Sequence, residues 1–108
     1  MEYFNVNSNN GNLIKGPLII KPKIFFDNRG YFLESWNHSE FNKIISRKVD
    51  FVQDNHSESK YGVLRGLHYQ LEPKAQAKLV RCTKGEVFDV LVDIRKDSDT
   101  YGEWSSIV

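Results

Sequence analysis

The sequence predicts an all-β domain, a sandwich or barrel of the jelly-roll kind with one short helix near its N-terminus. Three observations predict this class: short stretches alternate apolar and polar residues, turn-forming residues separate them, and a single stretch has helical spacing. The predicted strands are Leu18–Ile20, Tyr31–Trp36, Val49–Asn55, Gly62–Gln70, Lys78–Thr83, Glu86–Arg95 and Glu103–Val108. We expect residues 1 to 15 to form a loose leader, because they are rich in Asn, Ser and Gly.

Turn residues bound several of these strands. Pro17 and Pro22 flank the first one, since proline interrupts a hydrogen-bonded ladder. Asp27–Gly30 predicts a tight turn, because Asx side chains bond the local backbone and Gly30 tolerates a positive φ. Lys84 and Gly85 predict a hairpin-like turn before Glu86–Arg95, the clearest strand.

The helix is predicted to begin after Asn37. Asn37 is a suitable N-cap, and Glu40 stands where the partner residue of a capping box belongs. Phe41, Ile44 and Ile45 then share one helical face, which indicates that this face is buried. The helix is predicted to end before Val49.

Composition excludes several classes of function. The 108 residues contain 15 Lys and Arg against 14 Asp and Glu, a net charge of +1, and no dense basic block supports nucleic-acid binding. No apolar run is long enough to span a bilayer, and no signal-peptide pattern opens the chain. The single cysteine, Cys82, cannot form an internal disulfide or a thiolate zinc cage. We therefore expect a cytoplasmic protein.

The end of the chain has an unusual character. Trp104–Val108 stops inside a strand-like pattern without a polar tail, whereas a terminus is commonly a frayed polar segment. We expect residues 16 to 108 to be the N-terminal part of a single, larger jelly-roll domain. The sheet begun here would then lack its later strands and leave an apolar edge that favours association.

The segment Gly62–Gln70 has the highest density of candidate functional residues. His68 and Gln70 project to the same side of a regular strand, and Arg65 lies three residues before His68. Arg65 and His68 converge only if Gly66 bends the strand, which glycine allows. The competing interpretation is a strand with polar decoration, and the residues alone leave both open.

Lys78 opens an otherwise apolar stretch and therefore needs an explanation. It is either an edge lysine with its ammonium in water or a cation inside the barrel mouth, facing a developing oxyanion. The triplet Gln53, Asp54 and Asn55 is similarly ambiguous, since it either closes a strand or bonds the edge of a nucleobase.

No metal site is predicted. Jelly-roll barrels often bind a metal through a His-x-His pair, but Gln70 occupies the second position here. His38 and His56 belong to the helix start and a turn, so local spacing assembles no ligand set.

Five motifs in this order resemble those of the dTDP-4-dehydrorhamnose 3,5-epimerase family. They are DNRGYFLE at Asp27–Glu34, FVQDNH at Phe51–His56, GVLRGLHYQ at Gly62–Gln70, AQAKLVR at Ala75–Arg81 and GEVFDVLVDIR at Gly85–Arg95. The resemblance runs from about Gly16 to Val108. Five motifs with consistent spacing make it specific, which no single one would be.

The resemblance implies a cupin-type jelly roll that works without metal or cofactor, as a cytoplasmic homodimer. The implied substrate is dTDP-4-dehydro-6-deoxy-glucose, inverted at C3 and C5. The implied catalytic residues are His68, as general base, and Lys78, which stabilises the enolate oxygen at C4. The implied substrate-binding residues are Arg29, Glu34, Gln53, Asp54, Asn55 and Arg65. The family's tyrosine proton donor belongs to a later segment than any in this chain.

The chemistry agrees with these residue types. An imidazole with an ordinary pKa near 6.5 suits a base at physiological pH, and a fixed ammonium lowers the cost of an enolate. The chain has no glycine-rich dinucleotide fingerprint, and inversion needs no redox cofactor. Two alternatives stay open: an epimerase acting at C3 or C5 only, and a non-catalytic cupin that binds a sugar nucleotide.

Overall fold

The computed structural model describes all 108 residues, which divide into two compact units. Unit 1 comprises Met1–Asp50 with Val87–Val108, and unit 2 comprises Phe51–Glu86. Strands predominate in the regular structure and one short helix accompanies them, as predicted. The elements are β1 (Glu2–Asn7), β2 (Leu13–Lys21), β3 (Ile24–Asp27), β4 (Gly30–Leu33), α1 (His38–Ile45), β5 (Asp89–Val92) and β6 (Trp104–Ile107). They pair as three antiparallel hairpins: β1 with β2, β3 with β4, and β5 with β6.

The first hairpin corrects the prediction of a loose leader. Residues 2 to 7 form β1, because Val6 pairs with Ile14 of β2 and both side chains are buried, at 5% and 1% exposure. Burial of these apolar side chains provides a driving force that the Asn-rich composition conceals. The polar residues after Asn7 form the connection to β2 rather than a leader.

Pro17 lies inside β2 instead of bounding it. The register shifts at the β1 positions Asn5 and Val6, which face Leu18 and Ile14, so residues 15 to 17 of β2 bulge from the ladder. A bulge leaves a residue without a ladder partner, and proline has no N–H to offer there. Gly16, with φ +115°, takes the left-handed backbone that this bulge requires.

The second hairpin confirms the predicted turn at Asp27–Gly30. Asp27 pairs with Gly30, which leaves Asn28 and Arg29 as a two-residue loop, and Gly30 has a φ of +139°. The strand β4 ends at Leu33, before the predicted end at Trp36. Trp36 instead packs against the helix that follows.

Local interactions define the N-terminus of α1 as predicted. The Asn37 side chain accepts a 3.1 Å hydrogen bond from the Glu40 N–H, as an N-cap does. The rings of Trp36 and Phe41 lie 4.9 Å apart between centroids, which is the hydrophobic staple across the cap. Ser46 ends the helix in the left-handed conformation, and its N–H donates to Lys43 O.

The predicted strand over Glu86–Arg95 is shorter in the structure, since β5 covers only Asp89–Val92. The Asp93 side chain bonds the loop that follows, and the chain turns through residues 98 to 102 before β6, as predicted. No helix in the structure combines the length and apolar character needed to cross a bilayer.

Unit 2 contains none of the predicted strands. The predictions for Val49–Asn55, Gly62–Gln70 and Lys78–Thr83 are wrong, because no hydrogen-bonded partner strand lies beside them. The backbone–backbone hydrogen bonds of unit 2 are two turn bonds, from Val63 N to Lys60 O and from Lys74 N to Leu71 O. Alternation in the sequence favours an extended chain, but a strand requires a ladder.

Candidate functional site

The predicted site residues fall in both units. Unit 2 carries Gln53, Asp54, Asn55, Arg65, His68 and Lys78, whereas unit 1 carries Arg29 and Glu34. All eight residues are exposed.

The backbone of Gly66, two residues before His68, has a positive φ. Gly66 has a φ of +119°, and a Cβ placed there would lie 3.6 Å from His68 Cδ2 and 3.9 Å from Nε2. The imidazole therefore folds back over the glycine, within ordinary contact distance. The positive φ of Gly66 is one that glycine adopts without strain, and the convergence of Arg65 and His68 stays a prediction.

Arg65 is held by the preceding loop rather than by His68. Its Nε donates a 2.8 Å hydrogen bond to Ser59 Oγ, and its Nη2 donates a 3.1 Å bond to Glu58 O. Both acceptors are uncharged, so the guanidinium keeps its charge for an anion. This arrangement suits recognition of a phosphate oxygen.

Lys78 contacts the segment that carries His68. Its Nζ donates to Gln70 Oε1 at 3.2 Å and to Gln76 Oε1 at 3.4 Å. The first bond joins the two motifs that supply the predicted catalytic residues. This bond was not predicted from the sequence, although Gln70 lies two residues after His68 and an amide oxygen is a natural acceptor for an ammonium.

A hydrogen bond joins the side chains of Gln53 and Asn55. Gln53 Nε2 donates a 3.3 Å hydrogen bond to Asn55 Oδ1. The Gln53 carbonyl and the Asn55 amide nitrogen are left for other partners, and Asp54 adds a carboxylate between them. This set offers both donors and acceptors, as recognition of a base edge requires.

Arg29 lies at the tip of the second hairpin, fixed by Asp27. The Asp27 Oδ2 atom accepts from Arg29 Nη2 at 2.6 Å and from Nε at 3.2 Å, while Oδ1 accepts from the Arg29 N–H at 2.8 Å. The guanidinium lowers the pKa of the Asp27 carboxyl. Glu34 follows β4 directly.

Unit 1 contains a polar cluster, centred on the buried Asp93, that was not predicted from the sequence. The Asp93 carboxylate accepts from Arg95 Nε and Nη2 and from the hydroxyls of Ser98 and Thr100. The Arg95 guanidinium, helped by the hydroxyls, holds the pKa of Asp93 far below its usual range. The signal was an aspartate at the end of a strand with Arg, Ser and Thr shortly after it. Its contacts are all within one loop, so its role is to fix that loop.

No group of three or more His, Cys, Asp and Glu side chains is arranged to hold a metal ion. The hydrogen-bond acceptors of the Lys78 ammonium are the side-chain amide oxygens of Gln70 and Gln76.

The chain is similar in sequence to one family of known proteins. The sequence profile described as dTDP-4-dehydrorhamnose 3,5-epimerase matches residues 12–108. The enzyme of that name from Shigella flexneri is 64% identical over 90 residues, which are 83% of this chain and 50% of the relative. The one from Pseudomonas aeruginosa is 55% identical over 87 residues, 81% of this chain and 48% of the relative.

Solved structures agree with these relatives. The crystal structure of dTDP-4-dehydrorhamnose 3,5-epimerase from Elizabethkingia anophelis has a TM-score of 0.78 at 50% identity, covering 83% of this chain and 49% of that one. The enzyme from Bacillus anthracis, solved with TDP and PPi bound, has a TM-score of 0.78 at 37% identity, covering 98% and 58%. The chain thus spans about half the length of the curated relatives described above.

Proposed function

Because the chain belongs to the dTDP-4-dehydrorhamnose 3,5-epimerase family, we propose that it acts as a nucleotide-sugar epimerase. The proposed reaction inverts C3 and C5 of dTDP-4-dehydro-6-deoxy-glucose, which gives dTDP-4-dehydro-L-rhamnose for dTDP-L-rhamnose biosynthesis. One observation carries the proposal beyond the family match. The bond from Lys78 to Gln70 holds an ammonium against the segment that bears His68.

In this proposal His68 is the general base. The carbon next to the C4 ketone loses its proton to the neutral imidazole. The electron pair of the broken C–H bond moves toward the carbonyl group, which gives an enolate with its negative charge on the C4 oxygen. Such a base typically contributes 10²–10⁴-fold to a rate. The enolate then takes a proton from water on its opposite face, which re-forms the C–H bond with inverted configuration and restores the C4 ketone, and the protonated imidazole returns its proton to water.

Lys78 stabilises the enolate in the same scheme. Its ammonium is a fixed positive charge, and a donor at a developing oxyanion is typically worth 10²–10³-fold in rate. The scheme moves only protons, so it uses no redox cofactor, and the ammonium supplies the charge that a metal ion would otherwise provide.

The proposed nucleotide contacts match the chemistry of a dTDP group. The family resemblance assigns Arg65 of unit 2 and Arg29 of unit 1 each to nucleotide binding, and the planar fork of arginine fits phosphate oxygens. Gln53, Asp54 and Asn55 present donors and acceptors for the thymine edge or the sugar, and Glu34 completes the set. The relative solved with TDP and PPi bound supports a thymidine nucleotide as ligand.

The finer structural expectations belong to the same proposal. We place residues 16 to 108 in the N-terminal part of one cupin-type jelly roll, supported by the TM-score of 0.78 to two epimerases. A homodimer is proposed from the family resemblance and from the many exposed apolar side chains, such as Leu64 and Phe26 at 90% and 76% exposure. A cytoplasmic location agrees with the free, exposed thiol of Cys82.

Hydrogen–deuterium exchange at the substrate tests the proposal. The chain is incubated with dTDP-4-dehydro-6-deoxy-glucose in D₂O, and mass spectrometry and NMR locate the deuterium. We expect incorporation at C3 and C5, reduced at least about 100-fold by His68→Asn while dTDP binding by calorimetry is retained. Lys60→Gln, an exposed lysine of the same unit, is the control.

The other outcomes separate the alternatives. Deuterium at one carbon only would identify a single-position epimerase and overturn the double inversion. Binding of dTDP without any exchange would overturn catalysis in favour of a non-catalytic nucleotide-sugar-binding protein. If the chain neither binds dTDP nor exchanges the substrate, the whole proposal is wrong.

A further inference from the structure

The ammonium of Lys78 has two hydrogen-bond partners, and both are side-chain amides. Gln70 Oε1 lies 3.2 Å from Nζ, and Gln76 Oε1 lies 3.4 Å from it. Both glutamines precede Lys78 in the sequence: Gln76 is two residues before it and Gln70 is eight residues before it. The ammonium is thereby tethered both within its own segment and to the segment of His68.

We propose that Gln70 and Gln76 are positioning residues that aim one N–H of Lys78 at the enolate oxygen. An ammonium has three N–H donors. The amides of Gln70 and Gln76 take two of them, which leaves the third for a ligand. The inference deepens the proposed function, because it assigns these two glutamines a part in the same reaction.

Because Gln70 and Gln76 are both uncharged, the Lys78 ammonium keeps its full positive charge. A carboxylate at this distance would form an ion pair, and its charge would offset the field that the ammonium exerts on a developing oxyanion. An amide oxygen orients the ammonium without cancelling its charge. Neutral acceptors are therefore the side chains that a positioned cation requires.

The tethers also address the flexibility of lysine. All three side chains are exposed, and a free lysine side chain loses rotamer entropy when it is fixed. Two hydrogen bonds formed before substrate arrives reduce the number of orientations to be lost on binding. A displacement of about 1 Å in a catalytic group can cost about 100-fold in rate.

Two kinds of substitution test this inference. Gln70→Leu removes an acceptor without adding charge, and Gln70→Glu keeps an acceptor but adds a carboxylate whose charge offsets that of the ammonium. We expect both to lower the exchange rate at saturating substrate about 10- to 100-fold, with KM and dTDP affinity within about twofold of wild type. Lys74→Gln is the matched control, because it lowers the net charge by one as Gln70→Glu does and the Lys74 side chain makes no hydrogen bond.

A spectroscopic measurement distinguishes this inference from the proposed function. The ammonium signal of Lys78 in a ¹H–¹⁵N correlation spectrum is recorded without substrate for the wild type, Gln70→Leu and Gln76→Leu. We expect a wild-type signal slowed in hydrogen exchange, and faster exchange in each variant. An unchanged signal in both variants overturns the inference, even if the wild type is an active epimerase.

A different combination of results would overturn the proposed function but not the positioning of Lys78. If both leucine variants release the ammonium but the wild type shows no substrate exchange, the tethers are real and the proposed function is wrong. If the ammonium protons exchange faster in Gln70→Leu and Gln76→Leu but deuterium enters the substrate at the wild-type rate, the two hydrogen bonds have no part in the reaction. Thermal unfolding of each variant, compared with Lys74→Gln, checks that the chain still folds.

Discussion

Ser8 and Glu103 are 95 positions apart in the sequence, and the Ser8 hydroxyl donates a 2.7 Å hydrogen bond to Glu103 Oε1. The same oxygen accepts from Asn12 Nδ2 at 2.9 Å, and the Trp104 N–H donates to Asn9 Oδ1 at 3.0 Å. The connection between β1 and β2 is thereby joined to the start of β6. The N-terminal residues are thus integral to unit 1.

Substitution of Glu103 should weaken this connection in a pH-dependent way. Hydrogen bonds from Ser8 and Asn12 lower the pKa of the Glu103 carboxyl, so its stabilising effect is present above the ordinary glutamate pKa and is lost as the pH falls through the lowered one. We expect Glu103→Gln to lower the Tm at pH 7 and the difference to shrink at pH 3. Glu72→Gln, an exposed glutamate in unit 2, should leave Tm unchanged at both pH values.

The buried carboxylate of Asp93 should matter more for stability. Its side chain is 1% exposed and accepts from Arg95, Ser98 and Thr100. Asp93→Ala leaves these donors without their acceptor, which should lower the free energy of unfolding by about 2–3 kcal/mol in denaturant titration. Asp97→Ala, an exposed carboxylate of the same loop, is the matched control. Equal stability of the two variants would contradict the role assigned to Asp93.

Asp93 should also contribute to acid unfolding. The Arg95 guanidinium lowers its pKa, so below the unfolded-state value of about 4 the unfolded chain binds a proton that the folded chain does not. The free energy of unfolding should therefore fall with decreasing pH, by at most about 1.4 kcal/mol per unit for this group. Asp93→Asn should flatten the profile between pH 4 and 2, as measured by urea titration at each pH. A profile as steep as that of the wild type would contradict this assignment.

The N-cap of α1 offers a local test. Asn37→Ala removes the acceptor for the Glu40 N–H, which should cost about 1 kcal/mol and reduce the helical circular dichroism signal. Asn37→Ser retains a capping oxygen and should behave almost as the wild type. If alanine and serine gave the same stability, the cap would contribute nothing.

Arg29 provides a test of nucleotide binding that does not depend on turnover. Removal of its charge by Arg29→Gln should weaken dTDP binding about 10-fold in calorimetry, since a charge-assisted phosphate contact is lost. Arg47→Gln removes a cation just after α1 and controls for net charge. A Kd that Arg29→Gln leaves unchanged would remove Arg29 from the proposed binding residues.

Sequence patterns predicted the parts of the fold that local interactions determine. The Asn37 cap, the turn at Asp27–Gly30 and the strand from Trp104 each follow from residues within a few positions of one another. The strands predicted in unit 2 failed, because a ladder depends on a partner that the local sequence does not specify. Strand β1 was not predicted for a related reason. Its one buried side chain, Val6, lies opposite Ile14, a partner on another strand.

The hydrogen-bond partners of the candidate site residues could not be predicted from the sequence. The sequence singled out His68 and Lys78 because other polar residues lie near them in the chain, and Gly66 beside His68 has the positive φ that glycine allows. The tether from Lys78 to Gln70 depends on how two non-repetitive segments approach each other, which no periodicity encodes. The roles of His68, Lys78 and the nucleotide contacts stay predictions until the exchange experiment is done.

The scarcity of backbone hydrogen bonds in unit 2 has a consequence for how ligands can be detected. Amide protons exchange slowly where they are bonded and buried, and proteases cleave where the backbone opens. Phe51–Glu86 should therefore be labelled and cut before the hairpin of β1 and β2. A nucleotide bound to Arg65 or to the Gln53–Asn55 triplet would appear as protection of this segment, so footprinting can map occupancy without any turnover.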